Sequence, residues 1–394
     1  MSNARWILTE HVGVDAFTAL RDDWRRLCAE MSSPAAWHTH EAYTVYLEYL
    51  CSSPERFRCF ALSDGERIRA ILPLEERTER SLTHGRAGVV PRVWGMPWCE
   101  GWWVTDAIGP EDDARSALLP AVLDRLRRQT DRPAALVLGR TPAASVLWDG
   151  LATVPRWSRF AFDDGGECVI PADMSSAEFM GRLSRNSRQA LRSSARKFEA
   201  LDNASYVRAV AGEDLVTEYE MFLEVEASGW KGAHGSAVRQ QPELEAFLRG
   251  LLAGLSFEGH CEIHSLHAEG RCIASAFCVY TRAECAVFKI GYDESYARIS
   301  PGRLCNHKII ESCCEDPDIT TMSEVGSAPW VRHWFPKTNG VRRAYVALRP
   351  VSGGFLLAAL RIRYGPVRSA TRAYKSWRRD HDYDRPHGIR REAE

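Results

Sequence analysis

Between Phe179 and Phe198 the chain carries six basic residues and no acidic one. Read as one helix, Arg185, Arg188, Arg192 and Arg196 fall within an arc of about 80°, with Arg182 just beyond it. Phe179, Leu183, Leu191 and Phe198 take the other side. Guanidiniums stacked at successive turns repel unless something anionic faces them. Their planar forks suit phosphate and carboxylate, so Arg188 and Arg192 are candidate residues for holding an anionic part of a ligand. Pairing with acidic residues elsewhere in the chain, or plain solvation, is the alternative. A second anion-binding pattern lies in AVFKIGYDESYARISPGRLCNHKII. A buried-looking strand ends at Tyr292 and a helix starts at Pro301 or Gly302. Ser300 suits the N-cap, Pro301 the first turn, and Gly302 lets backbone amides approach a ligand. A helix N-terminus at the exit of a sheet collects anions. Tyr292, Ser300, Gly302 and Arg303 are therefore expected to face a phosphate or diphosphate.

The candidates for moving protons lie nearby in sequence. Glu262 and His264 sit two apart on a strand over 261–267, and Lys289 sits on the strand 284–292. Edge-to-centre geometry could gather these three around one cavity, whereas on a solvent-facing strand surface they would do no chemistry. Glu226 precedes the Gly-rich stretch SGWKGAHGS and is a further acid, base or ammonium-binding candidate. Within that stretch Trp230 either walls an acceptor pocket or plugs the core, and Lys231 is expected to point its ammonium into the same pocket. Cys261, His264 and His267 have the residue types of a metal site. Strand alternation puts His264 on the face opposite the other two, so no metal is expected there.

The elements that must position these residues belong to an ordinary globular chain. Its 394 residues suggest two or three domains at about 150 residues each. With 45% hydrophobic and 26% charged residues it is not a disordered or low-complexity chain. A formal net charge of −1 gives no global pull toward nucleic acid or membrane, which leaves only local clusters to read. No apolar run reaches about 18 residues, and the start lacks the apolar core of a signal peptide, so a cytoplasmic protein is expected. The twelve cysteines form no CxxC pair and read as reduced thiols.

Hydrophobic periodicity predicts helices over 15–30, 41–50, 111–129 and 144–152, a hairpin over 56–64 and 67–77, and a strand over 134–139. DDGGE at 163–167 reads as a joint. Beyond it come one long helix opening with the capping box Ser175-x-x-Glu178, helices over 213–228 and 242–254, and strands over 261–267, 271–280 and 284–292. A helix over 302–314, a strand over 319–325, a short helix near 329–335 and a strand over 341–348 follow. Both halves have a helix-then-hairpin plan, so a duplicated fold is expected. The expected domains are residues 1–163, residues 164–349 with the donor-binding turn, and a basic tail over 350–394. Between 361 and 379 that tail has seven basic residues and no acidic one, which suits a solvated segment or an anionic partner such as RNA or a membrane surface.

The order basic helix, SGWKGAHGS, hairpin, FKIGYD-x7-SPGRL resembles the C-terminal half of the CelD-like (cellulose-biosynthesis type, BioF2-like) acetyltransferases of the GNAT superfamily. Trp37, AILPLEER and RVWGMPW extend the resemblance through the first half, over roughly residues 15–348. Its most specific parts are Ser184–Arg196, Gly229–Ser236 and Tyr292–Leu304. The resemblance implies a mixed-sheet α/β fold of tandem GNAT-like domains packed side by side. It also implies acetyl-CoA or another acyl-CoA as co-substrate, with no permanently bound cofactor. Acyl transfer would run to an amine or hydroxyl of a small-molecule or saccharide acceptor. Carried over, it makes Trp230 and Lys231 pocket residues and Ser300, Gly302 and Arg303 the diphosphate-facing turn. The usual signature Q/R-x-x-G-x-G/A is absent in literal form, with only Gly302 in a comparable place. Where relatives carry Asp-Phe-Gly-like residues on the next strand and a Tyr-Lys pair in the following helix, this chain has Ser323-Glu324-Val325-Gly326 and Val331-Arg332. Catalytic candidates are thus Glu262, His264, Lys231 and Glu226, with Lys289 and Glu324 beside the substrate. Fem-type transferases share the double fold and use aminoacyl-tRNA, and a non-catalytic binding protein of the same fold is a third reading.

Overall fold

The computed structural model describes residues 6–32, 35–79, 91–97, 104–255, 259–281, 283–324 and 337–365. In the first half, β1 (Ile7–Val12) leads through α1 (Gly13–Ala19), α2 (Arg21–Glu30) and α3 (His40–Tyr49) to the hairpin β2 (Arg58–Ser63) and β3 (Ile68–Thr78). Then follow β4 (Arg92–Gly95), α4 (Asp113–Arg128), β5 (Ala135–Pro142), α5 (Leu147–Ala152) and β6 (Arg159–Pro171). The second half runs α6 (Ser176–Arg182), α7 (Arg185–Glu199), β7 (Ser205–Ala209), α8 (Gly212–Ser228), the single turn α9 (Trp230–Ala233) and α10 (Pro242–Gly254). It continues with β8 (Gly259–Ala268), β9 (Arg271–Thr281), β10 (Glu284–Tyr292), α11 (Pro301–Glu315), β11 (Thr321–Glu324), β12 (Lys337–Ala347) and α12 (Pro350–Tyr364).

The strands line up in the order β1-β2-β3-β4-β5-β12-β6-β11-β10-β9-β8-β7. Read inward from either edge, the plan is the same. Three antiparallel pairings lead to a parallel pair, β4 with β5 in one half and β10 with β11 in the other. The next strand is exchanged: β12 from the second half lies on β5, and β6 from the first lies on β11. The two exchanged strands pair with each other at the centre. The fold is therefore a mixed α/β sheet built of two units of like plan, duplicated as expected and welded by strand exchange. Helices α2, α3, α8 and α10 share one core against one face of the sheet, with Trp24, Tyr43, Phe222 and Phe247 fully or almost fully buried. The packing of α3 on α10 adds a second seam between the halves.

Three expectations need correction. DDGGE is not a joint, since it lies inside β6 and pairs with β12. The long helix from Ser175 is two helices. Ser184 turns extended and its hydroxyl accepts the Ser187 N–H at 3.1 Å, starting a new helix as a good N-cap does. Third, the beginning of the tail at Pro350 is a packed helix, with Leu356, Leu357 and Leu360 buried under it. The expected short helix near 329–335, Val331, Arg332 and the tail beyond residue 365 lie outside the described residues.

Candidate active site

The parallel pair of the second half is short. β10 and β11 pair only over Glu284–Val287 against Thr321–Glu324. A bulge between Val287 and Lys289 then interrupts β10, and a bulge bends the bulged strand and re-aims its side chains. Among the described residues, β10 from Lys289 to Tyr292 pairs with β9 alone, and its parallel pairing with β11 runs only to Val287 and Glu324, next to the bulge. The N-terminus of α11 stands at the far end of β10, where a Cβ on Gly302 would lie 3.0 Å from the Tyr292 ring. Ser300, left-handed at φ 50°, turns the chain into that helix, and its side chain does not cap it.

Charged groups gather around this end of β10. Glu226, 1% exposed on α8, has Oε1 3.2 Å from Lys231 Nζ and 3.8 Å from Lys289 Nζ, and its Oε2 accepts the Val238 N–H at 2.9 Å. Such a close approach of α8 to β10 requires glycine at 291, where a Cβ would sit 2.5 Å from Glu226 Cα. Lys231 also donates to the Ile290 carbonyl at 2.7 Å, on the stretch of β10 beyond the bulge. Across the sheet Glu324, the last residue of β11, is buried, and its Oε2 has no hydrogen-bond partner among the described residues. Fully buried Asn306 of α11 stands near it, and neither of its amide atoms is in a well-formed hydrogen bond. Burial raises the Glu324 carboxyl to about 8, although Asn306 and Lys231 both favour its ionised form.

Glu262, His264 and Lys289 do not share a cavity. Directly opposed residues in an antiparallel pair share a face. Glu262 and His264 oppose Cys278 and Ala276, which pack under α11. Without the bulge, Lys289 would oppose Ala276 on that same face. The bulge sets it opposite Phe277, on the face packed by α8. Glu262 is moreover engaged on every side. Arg208 grips it with two bonds of 2.7 and 2.8 Å, and His260 and His264 approach within 2.8 and 3.1 Å. Burial favours its neutral form, but these hydrogen bonds outweigh burial and hold the carboxyl below its ordinary range. His264, fully buried, meets the hydroxyls of Tyr206 and Tyr280 at 2.6 and 3.0 Å. Burial lowers its pKa against the pull of Glu262.

The remaining candidates divide. Trp230 is 54% exposed, so it does not plug the core, and it meets His234 edge-on. Arg188 turns back to cap α6, donating to the Leu183 and Gly181 carbonyls at 2.5 and 3.1 Å. Arg192 is exposed and pairs with no carboxylate among the described residues. Because Arg182 ends α6, it is not on the helix that carries the other four arginines. Helix α7 packs on α11 and on the turn Glu294–Ile299, both of the second half, and Lys197 reaches the Arg298 carbonyl. The basic face of α7 thus flanks the approach to α11. Arg303 is half-buried in the first turn of α11.

The first half is built differently at the places that correspond to the β10 bulge and the α11 start. Beside its parallel pair, Thr105 N–H donates to the Arg140 carbonyl at 2.8 Å, and Ile108 exchanges two backbone bonds with Ile71 on β3. The segment from Val104 to Ile108 therefore extends the sheet beside β5 past the end of β4. At the start of α4 the Asp112 carboxylate accepts the Ala114 and Arg115 N–H groups. Arg115 itself is buried against Asp106 and Glu111. Burial, helped by Arg115, lowers the His38 imidazole to about 3.

Residues 185–328 match the acetyltransferase (GNAT) domain family. No curated protein matches the chain. Among solved structures, FemX is similar with a TM-score of 0.56 at 8% identity, over 84% of this chain and 97% of that one. A conserved protein of unknown function from Bacteroides thetaiotaomicron gives 0.55 at 11% identity, over 84% of this chain and 97% of its own. At these identities the likeness is one of fold.

Proposed function

We propose, from the premise of a GNAT-type acyltransferase domain over residues 185–328, that the second half transfers an acyl group from acyl-CoA to an amine of a small-molecule or saccharide acceptor. The observation that carries this reading is the asymmetry between the halves. Among the described residues, the second half has a bulged β10 and an α11 start that Ser300 does not cap, whereas Asp112 caps α4 in the first. Backbone groups of β10 beyond Lys289 suit an extended acyl-pantetheine arm, and the α11 amides at Gly302 and Arg303 suit its diphosphate. Exposed Arg192 flanks that approach and suits a further anionic part of the donor.

In this reading Glu324 is the general base. A carboxyl with a pKa near 8 can accept the proton of an attacking ammonium, as a tuned base must. The free amine then forms the C–N bond, the C–S bond breaks, and the departing thiolate takes up a proton. Glu226 holds Lys231 and Lys289 in place, and these supply positive charge beside the developing oxyanion and thiolate. Trp230, exposed at the rim, suits an acceptor wall. Glu262 and His264 serve as a structural lock.

The Fem-type reading, in which an aminoacyl-tRNA is the donor, is favoured by the FemX-like fold. Thermal stabilisation separates the two. Acyl-CoA should raise the melting temperature in proportion to the logarithm of its concentration. Stabilisation by aminoacyl-tRNA alone would replace the acyl-CoA reading with the Fem-type one.

A further inference from the structure

Away from the β10 bulge, at the central β6–β12 seam, lies a cavity of ≈ 280 Å³ lined by Arg156, Arg159, Arg342 and Arg361 together with Trp148. Four guanidiniums in one cavity demand counter-charge, and the chain supplies little. Arg159 and Arg361 are held by backbone carbonyls of Leu151 and of Arg156, Trp157 and Arg159. Arg342 lies 4.8 Å over the Trp148 ring and 3.8 Å from Asp163, which is 86% exposed. Arg156 has no ion-pair partner among the described residues.

Helix α12 borders this cavity through Arg361. A helix apolar on two faces needs two partners, and among the described residues α12 has one. Gly353, Leu356, Leu357 and Leu360 are buried against the sheet. On the other side Val351, Phe355 and Ile362 are 70%, 75% and 67% exposed, with exposed Ala358 between them. These four fall within an arc of about 60°. Trp157, 72% exposed, stands next to the same helix. From Arg349 to Arg379 the sequence has eight basic residues and no acidic one.

We propose that this surface docks on an anionic phospholipid bilayer. A lipid phosphate enters the four-arginine cavity, and the ridge of Val351, Phe355 and Ile362 rests at the headgroup boundary. An interfacial helix binds by this combination of apolar ridge and surrounding cations. The charge argues against a second copy of the chain, because two such surfaces would repel. The aliphatic ridge argues against RNA, which offers it no counterpart. No helix among the described residues is long and apolar enough to cross a membrane, so the contact is peripheral.

The test is co-sedimentation of the full chain with vesicles of phosphatidylcholine alone or mixed with phosphatidylglycerol. Binding to the mixed vesicles only, falling with salt, is the expected result. Arg156→Gln/Arg342→Gln and Phe355→Ser/Ile362→Ser should each weaken it at least about tenfold. Should the first pair not fold, Arg156→Gln alone serves, since that side chain is exposed. Equal binding to both vesicles, or unchanged binding by the folded variants, overturns the proposal. So does stabilisation by inorganic phosphate that depends on Arg156 with no vesicle bound, which would make the cavity a free-phosphate site. Retention of RNA in place of vesicles, or a dimer that dissociates on Phe355→Ser/Ile362→Ser, also overturns it.

Discussion

The carboxylate of Glu226 lies 3.2 Å from the ammonium of Lys231, joining the end of α8 to the short turn that follows it. Lys231 is therefore a partner inside the fold as well as a candidate pocket residue. Removing the buried carboxylate leaves two lysines facing each other, and breaking a buried pair costs about 3–5 kcal/mol. Glu226→Gln should lower the unfolding free energy measured by denaturant titration by that amount. Lys231→Met should cost less, because Lys289 still neutralises Glu226, yet it should lose at least about tenfold in kcat/KM, on the order of 1.4 kcal/mol. A Lys231→Met enzyme with wild-type turnover would remove Lys231 from the site.

Glu324 makes activity and stability move in opposite directions with pH. Its carboxyl titrates near 8 when folded and near 4.5 when unfolded. Between these values the folded chain holds a proton that the unfolded chain has released. Stability from this group therefore falls as pH rises, with a limiting slope of about 1.4 kcal/mol per unit. As a base it works only when ionised, so kcat/KM should climb through pH 8. Glu324→Gln should flatten the stability change and lower kcat/KM by about 10²-fold or more. An unchanged pH–rate profile in this variant would exclude Glu324 as the base.

Gly302 tests the donor site. A Cβ there would meet the Tyr292 ring at 3.0 Å, and that side chain is exposed enough to swing away. Gly302→Ala should fold with little loss. Gly302→Asp puts a carboxylate where the helix start would face a diphosphate, as Asp112 already does in the first half. Calorimetry should find acyl-CoA affinity reduced at least about tenfold by the aspartate, about 1.4 kcal/mol. Undiminished affinity in the folded variant counts against α11 as the donor-binding helix.

What could be read from sequence divides along the range of the forces involved. The strands β8, β9 and β10 and helices α8, α10 and α11 follow from local apolar periodicity. The break at Leu183–Ser184 stayed hidden because the apolar spacing of Phe179, Leu183 and Leu191 runs on across it. Only the competing cap at Ser184 ends the first helix. Gly165 and Gly166 look like a turn in sequence, yet the central β6–β12 pairing holds them in a strand through contacts remote along the chain. Lys289 was legible as a charged strand residue, but its face was not, because one bulge between Val287 and Lys289 inverts the alternation. The meeting of Glu226, Lys231 and Lys289 therefore belongs to tertiary structure, although each residue stood out alone.

Glu262 closes the set, as a residue whose loss should harm folding and spare chemistry. Its side chain is fully buried and bonded to Arg208, His260 and His264, on the face opposite Lys289. Glu262→Gln would leave Arg208 without its two-pronged partner, and about 3–5 kcal/mol of stability should be lost. Because the folded carboxyl is held below its ordinary value, the stability it contributes is present above the unfolded pKa near 4.5 and is lost as pH falls below it. Wild-type protein should therefore weaken on acidification below that value, and Glu262→Gln should show a shallower acid limb. At a temperature where the variant remains folded, kcat should stay within about twofold of wild type, a difference under about 0.5 kcal/mol. A variant that melts like wild type but loses turnover by orders of magnitude would reverse this assignment and return Glu262 to the chemistry.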